Sequence, residues 1–212
     1  MVQKKAFLNI YVSAYPFECG SQNISFAPRA EEIKVCTNEN VRRQKFYVWK
    51  LLELAVGDLP GMDLNSLNLR KDENGKWQSD KIYISLSHSG NVVAAAVSDS
   101  SVGLDIEFFN EKKFGKSLAN RIATESEKSF FAKERAFSER VCALWTRKES
   151  EFKRKGEKII RPFFTDALSL PCRTFLLKCN HENYVLSVSG KSVLKSSFVT
   201  PFDNVVVIEE IK

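Results

Sequence analysis

The sequence predicts a mixed α/β fold built from two similar lobes in a pseudo-twofold arrangement, and three observations carry that reading. Strand-like and helix-like hydrophobic patterns interleave in both halves of the chain. The segments IYISLSHSGNVVAAAVS and NYVLSVSGKSVLKSSFV, one in each half, both read as a strand, a Ser-Gly turn and a second apolar strand. No low-complexity linker separates the halves, so they are expected to pack against each other.

The strand signals are runs of alternating or continuous β-formers at 6–12, 82–87, 92–97, 102–107, 174–179, 184–188 and 204–209. Helical patterns occupy about 38–56, 124–134 and 138–155. The first carries Val41, Lys45, Val48, Leu52 and Val56 at helical spacing and stops at Gly57. The second opens on Thr124-Glu125-Ser126-Glu127, a capping box in which a hydroxyl and a carboxylate satisfy free N–H groups. A DENG turn at 72–75 precedes a strand start at Lys76-Trp77, and SHSGN (87–91) is a tight link between two strands.

Bulk properties narrow the function classes. The 212 residues suffice for one large domain or two compact lobes, and 43% hydrophobic with 27% charged residues is ordinary for a globular protein. No apolar run approaches the roughly 18–20 residues that span a bilayer. The N-terminal KKAFLNIYVSAYPF has a basic start but lacks a small-residue cleavage site, so FLNIYV reads as a first strand rather than an export signal. The five cysteines (Cys19, Cys36, Cys142, Cys172 and Cys179) form no CxxC pair, and reduced thiols in a cytoplasmic protein are expected. With only His88 and His181, a histidine-rich metal site is excluded. The net charge of +6 points to an anionic partner without naming it.

Two short segments carry chemistry. In VGLDIEFF, Asp105 and Glu107 alternate with Ile106, so both carboxylates project from one face of a strand while Ile106 turns to the core. Their Cα atoms then lie about 6–7 Å apart, a spacing from which both side chains reach one hard cation such as Mg²⁺. Two like charges among Val102, Leu104, Phe108 and Phe109 are costly without such a partner. In VCALWTRKESEFKRKG the apolar stripe runs through Val141, Leu144, Trp145 and Phe152, yet Glu149 occupies a position on it and Lys153 follows four residues later. The bland alternative for this pair is an ordinary Glu-to-Lys helix contact.

Taken together, in this order and about 40 residues apart, GLDIE (103–107) and WTRKESEFK (145–153) resemble the 4′-phosphopantetheinyl transferases of the Sfp type. ISLSHSG (84–90), Lys76 in ENGKW, the basic helix ending YVWKLLELAVG and LSLP (168–171) fall in comparable places, and the resemblance runs from roughly residue 25 to 190. It implies the fold of that superfamily, with an N-terminal lobe over 1–101 on the coenzyme A side, a C-terminal lobe over 102–212 with the metal and catalytic helix, and the active site between them. It also implies a monomer. Asp105, Glu107 and Glu149 would hold Mg²⁺ against the pyrophosphate of coenzyme A, and Lys153 would meet phosphate oxygens. Ser87 and His88 would contact phosphate, although a turn explains SHSG equally. Lys50 and Lys76 would be nucleotide-side contacts, and Arg29, Arg42, Arg43 and Lys45 candidates for the 3′-phosphate. Lys148 is a weaker phosphate candidate because helical geometry turns it away from Glu149. Glu127 matches an acidic position of the family, which its capping box explains as well.

The implied reaction moves phosphopantetheine from coenzyme A to a serine of an acyl or peptidyl carrier protein and releases adenosine 3′,5′-bisphosphate. Either Glu149 or a metal-bound water would take the serine proton. Carrier proteins of this kind are acidic around that serine, which suits the basic charge. Phe108, Phe109 and Phe114 are candidates to receive a carrier helix, with core packing as the alternative. A nucleic-acid binder lacks support, since no recognition motif is present. A non-catalytic relative that binds coenzyme A or a carrier protein, and a Mg²⁺-dependent phosphohydrolase, are the other readings.

Overall fold

The computed structural model describes residues 6–18, 23–131, 136–156 and 166–211. It has a mixed α/β architecture in which two four-stranded sheets pack face to face and each carries helices on its outer side. The first sheet has the order β4 (Tyr83–Ser89), β5 (Val92–Ser98), β1 (Leu8–Ala14), β9 (Ser196–Val199). Its pairs are antiparallel except β1 with β9, which run parallel. The second sheet, wholly antiparallel, has the order β10 (Val206–Ile211), β7 (Cys172–Cys179), β8 (Glu182–Gly190), β6 (Val102–Phe108). A small hairpin, β2 (Arg70–Lys71) with β3 (Trp77–Gln78), forms around the DENG turn.

Strand periodicity explains the layers. In β5 the side chains of Val92, Ala94 and Ala96 enter the core between the sheets, while Val93, Ala95 and Val97 enter the core beneath helix α2 (Glu39–Gly57). Both faces are covered, which is why VVAAAV is continuously apolar rather than alternating. The short helix α1 (Ala27–Lys34) lies on that outer side through Ile33. On the far side of the second sheet, α3 (Lys116–Ile122) and α5 (Phe137–Lys155) pack over Leu176 and Val185, with α4 (Glu125–Phe131) leading toward α5.

The sequence anticipated α2, its end at Gly57, and most strands to within two residues at either end. The capping box also forms: Thr124 Oγ1 accepts from Glu127 N at 3.3 Å, and Glu127 Oε2 accepts from Thr124 N at 2.6 Å. The end of the helix expected at 124–134 falls partly outside the described residues, as does Cys19. Cys36, Cys142, Cys172 and Cys179 are free thiols. The SHSGN link is a two-residue turn at Gly90-Asn91, with Ser89 opposite Val92 and Gly90 at φ +53°. The second Ser-Gly segment behaves differently. After Gly190 the chain makes a 3-10 turn at Val193–Lys195 and crosses to the first sheet, where β9 pairs with β1. Helices α1 and α3 lacked a clear periodic signal because each spans only about two turns.

Two edge strands meet where the sheets come together. The amides of Leu104, Ile106 and Phe108 on β6 point away from β8 and donate to the hydroxyls of Ser85, Ser87 and Ser89 on β4, at 2.9, 3.2 and 2.9 Å. Serines at every second position of one strand thus stand in for a missing neighbour of the other. The opposite face of β6 receives α5. A Cβ on Gly103 would lie 1.8 Å from the Ser150 carbonyl oxygen, so only glycine permits this approach. We therefore expect Gly103→Ala to push α5 off β6 and cost about 3 kcal/mol in urea unfolding, the upper end of typical overpacking. Gly57→Ala, with open space around it, should change stability little.

Candidate active site

Asp105 and Glu107 lie on the β6 face that α5 covers, while Leu104 and Ile106 enter the core between the sheets, as alternation requires. Helix α5 crosses this face and brings Trp145, Glu149 and Lys153, one above another at four-residue spacing, over the two acids. Glu149 is buried although ionisable, beside the buried apolar Phe152 of the same stripe.

Each carboxylate is held differently. Asp105 Oδ1 accepts from Lys153 Nζ at 2.7 Å and from Ser87 Oγ at 3.0 Å. Ser87 Oγ itself accepts from Lys153 Nζ at 2.9 Å, so serine, lysine and aspartate form one closed triangle across β4, α5 and β6. Asp105 Oδ2 is buried and, among the described residues, has no hydrogen-bond partner. Glu107 Oε1 accepts from Trp145 Nε1 at 3.1 Å, and Oε2 accepts from Lys113 Nζ at 2.8 Å and Ser89 Oγ at 3.2 Å.

The electrostatics follow from this crowding. Burial raises the Asp105 carboxyl above its ordinary range, against the pull of Lys153 and with Glu107 adding to the rise. Burial, then the Asp105 charge, push Glu149 up to about 7, with Lys153 opposing and Glu107 reinforcing. Three acids face two lysines here, which leaves the cluster short of positive charge. Even so, among the described residues no three His, Cys, Asp or Glu side chains stand as a group that could hold a metal ion. The expected triad of Asp105, Glu107 and Glu149 is thus not closed in this structure. Lys153 and Lys113 have drawn Asp105 Oδ1 and Glu107 Oε2 to themselves. The unpartnered Asp105 Oδ2 and the crowding at Glu149 nonetheless suit a hard cation.

Beside the acids lies a cleft of about 420 Å³, lined by Asn74, Lys76, Trp77, Ile84, Leu86, Phe152 and Lys153, with Glu149 also at its wall. Lys76 Nζ donates to the Arg154 carbonyl at 3.0 Å, near the end of α5, where the helix dipole favours a cation. Burial lowers its pKa, against the effect of Asp72. Asn74 Nδ2 binds the Gly156 carbonyl at 2.7 Å, so the β2–β3 turn caps α5. His88 keeps an exposed edge, yet burial of the rest of the ring and the cations Lys153, Arg29 and Lys45 depress its pKa. The structure thus brings Ser87, His88, Lys76, Asp105, Glu107, Glu149 and Lys153 to one region.

Lys50 is placed elsewhere. It pairs with Glu53 and donates to the Asn23 carbonyl at 3.2 Å, in a separate cleft of about 320 Å³. Lys148 is turned away from Glu149, as helical geometry predicts, and is buried against Glu127 Oε2 at 2.9 Å and the Ile122 carbonyl at 2.7 Å. Phe114 is fully buried, and Phe108 and Phe109 pack against the cores. Sequence reasoning missed Lys113, and it took Trp145 only as part of the apolar stripe. It also missed Ser85 and Ser89, whose signal was the alternation S-L-S-H-S at 85–89.

The acidic strand and the charged helix lie within a segment that has a counterpart among known families. Residues 101–198 match the family model of the 4′-phosphopantetheinyl transferase superfamily. The superfamily match takes in β6, α5 and the strands β7 and β8 that support them, just under half of the chain, and supports a general role in phosphopantetheine transfer. No curated protein sequence matches the chain. Among the described residues no helix is long and apolar enough to cross a membrane.

The raised pKa of Glu149 has a measurable sign. An acid whose folded pKa lies near 7, above its ordinary 4.5, keeps its proton when folded while the unfolded chain loses it. Its contribution to stability should therefore fall as pH rises from about 4.5 to 7 in metal-free protein. Glu149→Gln should flatten that part of the pH profile, and Asp105→Asn should bring the Glu149 titration, followed by carboxyl NMR, to lower pH.

Proposed function

We propose that the protein transfers the 4′-phosphopantetheine group of coenzyme A to a serine of an apo acyl or peptidyl carrier protein, releasing adenosine 3′,5′-bisphosphate. The observation that carries this reading is the convergence of Asp105, Glu149 and Lys153 where β6 and α5 meet, with Glu149 and Lys153 lining the 420 Å³ cleft. Asp105, through its free Oδ2, with Glu149 and Glu107 would hold Mg²⁺. The bound ion would supply neutralising charge for the pyrophosphate.

The chain's own groups do the rest. Lys153 presents its ammonium from α5 and would meet the phosphate oxygens as the bond from the β-phosphate to the nucleotide breaks. Arg29, Lys45 and Lys153, the cations that help depress the His88 pKa, would offer a positive field for a further phosphate of the nucleotide. Trp77, Ile84, Leu86 and Phe152 give the cleft an apolar wall, and Lys76 contributes its rim cation. Glu149, poised near neutral pH before metal binds, is the side chain placed to accept the proton of the attacking serine, with a water beside it as the alternative route.

The same reading makes the protein a monomeric, cytoplasmic member of the Sfp type, with residues 1–101 forming the coenzyme A side and 102–212 the metal and catalytic side. The net charge of +6 suits an acidic carrier surface. A non-catalytic relative that binds coenzyme A or a carrier is the second reading. The presence together of Asp105, Glu107, Glu149 and Lys153 favours the enzyme.

Incubation of an apo carrier protein with coenzyme A, Mg²⁺ and this protein should add the mass of one phosphopantetheine arm to the carrier, read by intact-mass spectrometry. The gain should vanish without metal and with Glu149→Ala, and fall at least about a hundredfold in rate with Lys153→Ala, the scale of losing one transition-state charge contact. Coenzyme A binding with no gain across several carriers would instead support the non-catalytic reading.

A further inference from the structure

Among the described residues, Glu107 is the one acid of the cluster whose two oxygens are both engaged by donors, and those donors differ in mobility. The Trp145 indole comes from a half-buried position on α5. The Ser89 hydroxyl sits on β4 and is also fixed as acceptor for the Phe108 amide. Lys113 alone reaches Glu107 from a loop, with its side chain half exposed.

That loop is nonetheless built to deliver the ammonium. Asn110 Oδ1 accepts from the amides of Lys112 and Lys113 at 2.9 and 3.3 Å, and the Asn110 carbonyl accepts from Lys113 N at 3.0 Å. The next residue, Phe114, is fully buried and anchors the turn in the core. Lys113 Nζ lies 4.9 Å from the centre of the Phe114 ring while it is bonded to Glu107, and with the side chain half exposed, open solvent offers the ammonium a place away from the carboxylate. Leaving Glu107 would therefore bury no unpaired charge.

We propose that Lys113 is a tethered cation that occupies the Glu107 carboxylate and is displaced when a divalent ion enters the acidic cluster. The inference rests on the reading of Asp105, Glu107 and Glu149 as metal ligands given above. Lys113 and Ser89 together fill both lone-pair sites of Glu107 Oε2, so a Mg²⁺ ion bound to that oxygen at about 2.1 Å has to displace one of them, and it repels the ammonium but not the hydroxyl. Lys153 is a poorer candidate for such an exchange, because it is tied to both Asp105 and Ser87. The loop between β6 and α3 thereby senses whether the ion is present.

Two measurements test this without any turnover. Mn²⁺ binding, followed by its electron paramagnetic resonance signal, should tighten about two- to fivefold in Lys113→Met, the range expected when a partly exposed ion pair stops competing. Lys112→Met, which removes a neighbouring exposed charge, should give a clearly smaller change. In the unaltered protein, acetylation of Lys113 by acetic anhydride, located by peptide mass, should speed up several-fold on adding Mg²⁺ while other exposed lysines keep their rates. Mn²⁺ affinity that is unchanged or weaker in Lys113→Met, an equal gain in Lys112→Met, or a Lys113 acetylation rate indifferent to Mg²⁺ would each overturn the exchange while leaving the metal site standing. Absence of Mn²⁺ binding in every variant would overturn the exchange and the metal-site reading together.

Discussion

Strand β6 has a neighbour on one side only, and its other edge would leave three amides facing the interior if Ser85, Ser87 and Ser89 did not receive them. An unpaired buried amide costs about 1–3 kcal/mol, so three of them would rival a large share of a domain's net stability. Backbone pairing between β4 and β6 would join the two sheets into one surface. Side-chain acceptors instead hold the edges together while leaving the sheets free to stack. Two of the three hydroxyls go on to touch the acids: Ser87 donates to Asp105, and Ser89 to Glu107. The seam that closes the fold is thus also the frame on which the carboxylates are hung.

From that frame the charge pattern follows. The acids sit on the face of β6 turned toward α5, and the absence of a side chain at Gly103 lets that helix approach closely. Glu149 is therefore pressed toward Asp105 and Glu107 in partly dry surroundings, which accounts for its affinity for a proton. Lys153 and Lys113 offset part of the excess, one from the helix and one from a loop. A cluster that relies on ammonium groups for part of its neutrality can exchange one of them for another cation. One sealed by backbone groups could not.

The local patterns with strong periodicity were readable from sequence. The alternation D-I-E placed both acids on one face, the stripe on α5 exposed Glu149 as out of pattern, and T-E-S-E announced its cap. Long-range relations were not readable in that way. Nothing local to SVLKSSFV tells that it leaves β8 and pairs with the first strand, since either partner satisfies the same apolar pattern. The resemblance implied a nucleotide-side contact at Lys50, whereas in the fold Lys50 pairs with Glu53, three residues on, in a separate cleft. Lys113 gave no signal because a lysine in a polar loop is ordinary, and its reach to Glu107 depends on an Asn110 turn and a buried Phe114. Glu127 proved to have two structural duties at once, as cap of α4 and as counter-charge for Lys148.

The parallel pairing of β1 with β9 has a kinetic side. Asn9 and Ser197, joined by a hydrogen bond at 2.7 Å, are 188 positions apart along the chain. Contacts of that span slow folding, because the loop must close before the pairing rewards it. During synthesis, LNIYV can dock on β5 early, but its far edge must wait until residues 196–199 have emerged. Over that interval an apolar strand with open backbone groups is available to other chains, which makes the nascent protein vulnerable to aggregation. The first sheet is therefore sealed only after β6, β7 and β8 of the second sheet have been made.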